Sequence, residues 1–302
     1  MAFVDLHLHT TFSDGIVVPS ELVKIAAENG TGVMSVTDHD NCSAFKTAEE
    51  EGKKFGVRVI VGAELSTTFH GKAIHLVALG FDPANQAIIH FLEKNLLARK
   101  NFVLSKIEAI NQNCIKDGVE PIDIGGFVKY CGEFFGYGKA ADYLVEKGLA
   151  ADGDSARQLL ALAKAVNSYG PPEEAIAAVH TAGGIAVLAH PFAPKISLKQ
   201  ISSDISDWKK YVAEMVLLGL DGIECRQSGH QKKDEILAFE IATDNRLLVS
   251  SGTDWHGPLE KLDVESFLSY IPNYAGKPGD LKVSTKEVAP LMERLGVVVD
   301  KK

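Results

Sequence analysis

Strand and helix signals alternate at both ends of the chain, and a long helical block separates the two alternating stretches. "FVDLHLH" reads as a strand. Pro19-Ser20-Glu21 opens a helix running to Gly30, with Pro19 at the first helical position after an uncapped Val18, or with Ser20 as the N-cap. "GVMSVTDHD" is a second strand, residues 43–55 a charged helix, and "GVRVIVGAELSTTF" and "AIHLVALGF" a hairpin turning at His70-Gly71-Lys72. The alternation returns at "GGIAVLAHP", followed by a helix over 197–218, "LDGIEC", a helix over 230–244, and "RLLVSSGTDWHG". Repeated β-α units require a largely parallel sheet or barrel with helices outside. The expected organisation is an α/β barrel from residues 1–84 and 171–302, interrupted by a helical insertion over 85–170.

A chain of 302 residues can bury one large core or one domain plus an insertion. No run approaches the roughly 20 apolar residues of a membrane span, and Asp5 and His7 interrupt anything like a signal peptide. Four cysteines without C-x-x-C spacing suggest reduced thiols in a cytoplasmic protein. A net charge of −9 argues against long nucleic acid, which needs a basic footprint, but leaves a small anionic substrate open because bound metal can reverse the local field.

The strand ends are polar where a buried strand should carry Val or Ile. His7, His9, Asp14, His39, Glu64, His75, His190, Asp254 and His256 are each read as lying at or near the C-terminal end of an expected strand, or in the loop after it. That rim is where β/α barrels build active sites. His7 and His9 are i, i+2 and share one face of their strand. A single buried histidine is usually a hydrogen-bonded core residue; six histidines and three acids at successive strand ends reverse those odds. Gly15 is read as lending its turn a positive φ so that Asp14 can reach the cluster. Asp38 and Asp40 fit helix N-caps before residue 43. Asp5 fits a carboxylate that supports a ligand or caps backbone amides. His70, His90 and His180 are set aside as surface or packing residues. Histidine and carboxylate ligands drawn from the whole chain suit a multinuclear hydrolytic site rather than a structural zinc. No G-x-S-x-G elbow or G-x-x-x-x-G-K-[ST] loop is present.

The ordered series "DLHLHTTFSDG", "VTDHD", "GAEL", "HLVALGF", "GGIAVLAHP", "GIEC" and "GTDWHG" resembles the polymerase-and-histidinol-phosphatase (PHP) family of metal-dependent phosphoesterases, over roughly residues 2–82 and 172–258. The resemblance implies a distorted (β/α)7 barrel holding two or three divalent ions, Mn, Fe or Zn. One ion would take His7, His9, Glu64 and Asp254; Glu64 would bridge to a second held by His75 and His190; a third would take Asp14, His39 and His256. The helical insertion is similar to that of a branch acting on nucleoside 3′,5′-bisphosphates and short 5′-phosphorylated oligonucleotides, in which it covers the active site. Arg99 and His230 match positions of that branch. Gly136-Tyr137-Gly138-Lys139 stands where a Gly-Arg-Pro-His-like run is common, and Arg226 where an aromatic residue is common. The implied activity is hydrolysis of a phosphomonoester on a small nucleotide-like substrate. Arg99, Lys139 and Arg226 would contact phosphate, and His230 would be the acid for the leaving group. A phosphodiesterase or 5′–3′ exonuclease, a histidinol-phosphate phosphatase and a non-catalytic metal or nucleotide sensor are the alternatives.

Overall fold

The computed structural model describes residues 2–165, 168–261 and 276–299. Backbone packing divides the chain into two compact units, Met1–Leu92 with Gly170–Lys302, and Glu93–Tyr169.

The first unit is a seven-stranded sheet whose spatial order follows the sequence: β1 (Phe3–Asp5), β2 (Thr31–Val36), β3 (Arg58–Phe69), β4 (Lys72–Leu79), β5 (Ile185–Leu188), β6 (Gly222–Gln227) and β7 (Leu248–Gly252). β1–β2–β3 and β5–β6–β7 pair in parallel. β4 runs antiparallel to both neighbours, as the β3–β4 hairpin requires. Leu6 N→Ser251 O (3.0 Å), Asp254 N→His7 O (2.8 Å) and His9 N→Trp255 O (2.9 Å) join the first strand to the last. The sheet is therefore a nearly closed barrel, the one of the two arrangements left open by the strand–helix alternation that the family resemblance implies.

Helices cover it. α1 (Pro19–Glu28) starts with Pro19 at the first helical position after extended Val18, and buries Leu22, Val23 and Ala26. α2 (Phe45–Phe55) ends at Gly56, whose φ of 70° makes a left-handed cap. These two helices pack with Met34, Val36, Val59 and Trp255. Alternation sorts the strands. Ala63 and Leu65 of β3, Leu76 of β4 and Ile223 of β6 enter a core with Ile176 and Val179 of α7 (Pro172–Thr181), Val212 of α8 (Ile205–Leu217) and Ile241 of α9 (Lys232–Asn245). The residues between them, such as Glu64, are thereby turned to the opposite face. The helix expected over 197–218 is broken: Leu198–Gln200 forms a 3-10 turn, and α8 starts afresh after Asp204, which caps Ser206 N.

The helical pattern starting near residue 85 is α3 (Gln86–Asp117), of which Ile88, Phe91 and Leu92 join the barrel's core. Within the second unit, Val103 and Ile107 of α3 pack with Phe127 of α4 (Ile124–Cys131), Leu144 of α5 (Tyr137–Glu146) and Leu160 of α6 (Gly153–Leu162). The buried Lys106 ammonium donates to the carbonyls of Leu160 and Ala163, both at 2.8 Å. No described helix is long and apolar enough to cross a membrane, and none of the four cysteines is disulfide-bonded.

Candidate metal centre

The nine residues converge on one spot, although Glu64 and His75 lie within β3 and β4 rather than at their C-terminal ends. Glu64, 1% exposed, lies at its middle. Its Oε2 faces His7 Nε2 (3.3 Å), His9 Nε2 (3.3 Å) and His39 Nδ1 (3.0 Å). Its Oε1 faces His75 Nδ1 and His190 Nε2, each at 2.8 Å. Asp254 Oδ1 lies 3.1 Å from His9 Nε2 and 3.5 Å from His7 Nε2. Asp14, its side chain 37% exposed, faces His39 Nε2 and His256 Nε2 at 3.5 Å each.

Three donor groups emerge, each with its ligand atoms within 4.8 Å of one another: His7, His9, Glu64 and Asp254; His39, Glu64 and His75; and His9, Asp14, His39 and His256. The first matches the set implied by the family resemblance. In the other two, His39 appears with Glu64 and His75 as well as with Asp14 and His256, and His9 adds to the Asp14 group. His190 touches Glu64 but joins none of the three.

Several local features hold the residues there. His190 and Asp254 have φ values of 28° and 56°, a region L-residues seldom adopt and one that marks functional strain. Gly15 does not have the positive φ expected of it. Its role is close approach: a Cβ there would sit 2.6 Å from the backbone of His9 and Thr10. Asp38 and Asp40 do not cap α2, which starts after Ala44 with no side-chain cap. Asp38 instead accepts from Thr10 N (2.8 Å), Thr10 Oγ1 (2.6 Å) and Ser13 Oγ (2.6 Å), and Ser13 Oγ lies 3.3 Å from His9 Nδ1. Asp40 accepts from Ser66 N and Oγ at 2.9 and 2.8 Å. Asp5 caps amides, taking Thr253 N (2.9 Å) and Gly279 N (2.7 Å).

Two further residues reach the site without having been read as part of it. Glu224 Oε1 lies 2.9 Å from His7 Nδ1, and Gln227 Nε2 lies 3.3 Å from Asp254 Oδ2. The signal for Glu224 was the one that found His7 and His9: a charged side chain on a strand between the core residues Ile223 and Cys225.

The electrostatics are those of a cation site. Burial pushes Glu64 and Asp254 upward, but the surrounding imidazoles outweigh it and hold both well below the usual carboxylate range. Burial likewise pulls His9 down, yet Asp254, Glu64 and Asp14 raise it to about 10. His75 goes the other way; burial lowers it to about 4. Nε2 of His7 and of His9 is buried and has carboxylate oxygens at 3.1–3.5 Å, none of them aligned for a hydrogen bond. Nitrogen and oxygen donors that crowd together without pointing at one another fit ligands of a shared ion. A divalent cation would displace the imidazole protons and take over the neutralisation of the acids.

The residues expected to contact substrate are each engaged locally. Arg99 stacks on Phe134 (5.0 Å) and Tyr169 (5.5 Å) within the helical unit. Lys139 donates to the Cys131 carbonyl at 2.9 Å, closing the end of α4. Arg226 reaches Glu287 at 3.5 Å. His230 is 4% exposed. Its Nδ1 donates to the Cys225 carbonyl and its Nε2 accepts the Phe192 amide, both at 3.3 Å. Both contacts belong to a neutral ring, and burial lowers its pKa to about 4. These contacts tie the segment after β5 to β6.

A pH consequence follows. Below pH 6.5 the unfolded chain protonates His230 while the folded protein resists, so stability from this residue is lost as pH falls from about 6.5 to 4. A gap of this size amounts to about 3 kcal/mol. Urea denaturation of wild type and His230→Asn should show their stability difference shrinking by that amount over the window. A difference independent of pH would refute a buried neutral His230.

The barrel and the cluster at its rim define the class: the chain belongs to the PHP family of metal-dependent phosphoesterases and is a phosphoric ester hydrolase. The PHP domain pattern matches residues 5–122. The chain is 33% identical over 271 residues to the 5′-3′ exoribonuclease Rnm of Salmonella typhimurium, covering 86% of this chain and 87% of that one. It is 28% identical over 270 residues to the 3′,5′-nucleoside bisphosphate phosphatase of Chromobacterium violaceum, covering 86% and 89%. The solved structure of a metal-dependent phosphoesterase from Bifidobacterium adolescentis superposes with a TM-score of 0.76 at 26% identity, covering 99% and 98%.

Proposed function

We propose that this phosphoesterase removes phosphate from a small nucleotide-like phosphomonoester, such as a nucleoside 3′,5′-bisphosphate, with two or three divalent ions (Mn, Fe or Zn). The observation that carries the reading is Glu64, whose two oxygens face different sets of imidazoles and are thereby suited to join two ion sites. His7, His9 and Asp254 would complete the first site, and His75 the second with His39 or His190. Asp14, His39 and His256 would hold a third. Bound ions of this type supply Lewis acidity to phosphoryl oxygens and a water acidic enough to attack at neutral pH. The protein's part is to hold the ligands deprotonated and fixed. Glu64 and Asp254 stay ionised, and Asp14 at the more exposed edge leaves an approach for an anionic group.

The second reading is 5′–3′ exonuclease activity on short oligonucleotides, favoured by the exoribonuclease's higher identity, 33% against 28% for the bisphosphate phosphatase. The Mn²⁺-loaded protein should be offered adenosine 3′,5′-bisphosphate, a 5′-phosphorylated dinucleotide and histidinol phosphate. Inorganic phosphate from the bisphosphate, abolished by chelation, is the expected result. Mononucleotide release from the dinucleotide as the faster reaction would transfer the assignment to the exonuclease. Tight nucleotide binding with no product would make the protein a sensor and overturn both.

A further inference from the structure

We propose that Glu224 is a positioning residue that selects which nitrogen of His7 is offered to a metal ion and at the same time pins the His190 backbone. The inference rests on the metal-site reading above.

Glu224 sits on β6 between Ile223 and Cys225, both packed in the core that the helices cover. Its own side chain is thereby turned to the cluster face, where it is 1% exposed. Oε1 meets His7 Nδ1 at 2.9 Å, and Oε2 accepts the His190 amide at 2.6 Å. A carboxylate accepts on both oxygens, so the proton shared with His7 belongs to Nδ1. That leaves the lone pair of His7 on Nε2, the nitrogen facing Glu64 and Asp254. The hydrogen bond also fixes the ring's orientation and makes Nε2 a better donor.

The second oxygen acts on a different strand end. His190 has a φ of 28° and precedes Pro191, a combination the chain does not adopt without outside support. The Glu224 carboxylate supplies that support. The approach depends on Gly252 of the neighbouring strand. A Cβ there would fall 2.1 Å from His7 Cβ and 3.0 Å from Glu224 Oε1. One carboxylate thus sets the geometry of ligands from β1 and β5, strands that are not neighbours in the sheet.

The test uses Glu224→Gln, Glu224→Asp and zinc ions alone as the probe. A glutamine of the same size has one acceptor oxygen and an amide that donates, so it cannot satisfy both the His190 amide and a His7 protonated at Nδ1; satisfying both would move the proton to Nε2 and block that nitrogen as a ligand. Zinc affinity, read by competition with a chromogenic chelator, should fall about 10- to 100-fold in Glu224→Gln. Glu224→Asp, which keeps two acceptors, should retain more of it. Turnover of Glu224→Gln should recover in part as metal is raised. In the zinc-loaded wild type, the long-range ¹H–¹⁵N spectrum should show His7 protonated at Nδ1 and ligating through Nε2, a measurement that does not depend on any variant folding. Wild-type zinc affinity in Glu224→Gln, or a His7 that ligates through Nδ1, overturns the proposal. A wild-type protein that takes up no metal at all overturns the metal-site reading instead.

Discussion

Glu64→Ala should lower kcat/KM by at least about 1,000-fold, equivalent to about 4 kcal/mol of transition-state stabilisation. Five imidazoles meet this one carboxylate, three at Oε2 and two at Oε1. Asp14 and Asp254 each face three imidazoles, and neither can replace the charge of Glu64 in a site already short of anions relative to the ions proposed. The backbone should survive. Glu64 N bonds Thr37 O at 3.1 Å, and the residue pairs with Val77 across the hairpin whatever its side chain. Steady-state kinetics with saturating Mn²⁺, alongside circular dichroism, checks both halves. A folded Glu64→Ala with near-normal turnover would remove the basis for a bridged metal pair.

His9→Ala and His256→Ala should differ in kind. His9 belongs to two of the donor groups, and His256 only to the one with Asp14. Losing His9 is expected to reduce activity by about 1,000-fold and to reduce metal content by more than one ion per chain. Losing His256 should remove only the ion on the Asp14 side, with a fall nearer tenfold. Metal content by mass spectrometry, read beside kcat, resolves the two. Equal losses from both substitutions would mean that the groups do not fill independently.

The cluster was visible in the sequence because charge on a strand is costly unless something holds it. His7 and His9 recur at i, i+2 beside Leu6 and Leu8, and Glu64 stands between Ala63 and Leu65. The same contrast lay in "GIEC", yet one glutamate between core residues did not stand out as a second histidine did. Asp38 was read from its distance to the next helix. Its true partners, Thr10 and Ser13, come from the preceding strand end, and no local rule links them. Lys139 and Arg226 have contacts that no sequence pattern announces: Lys139 holds a helix-end carbonyl and Arg226 faces Glu287, partners set by the tertiary fold. A largely parallel sheet or barrel is readable from alternation, its closure only from the family resemblance, and the β3–β4 reversal from the turn at His70-Gly71-Lys72. The break at residues 201–204 was masked because the apolar spacing runs through it.

The seam between β1 and β7 would give bound ions a mechanical role. His7 and His9 lie on one lip of that seam and Asp254 on the other, with three backbone hydrogen bonds running along it. A cation gripped by all three residues would act as a rivet between the two ends of the barrel, closing a loop that spans most of the chain. Such closures stabilise chiefly by restricting the unfolded chain. During synthesis the first lip leaves the ribosome long before the second exists, so the rivet can set only when the last strand docks. Metal occupancy would then report completed folding as well as readiness for catalysis.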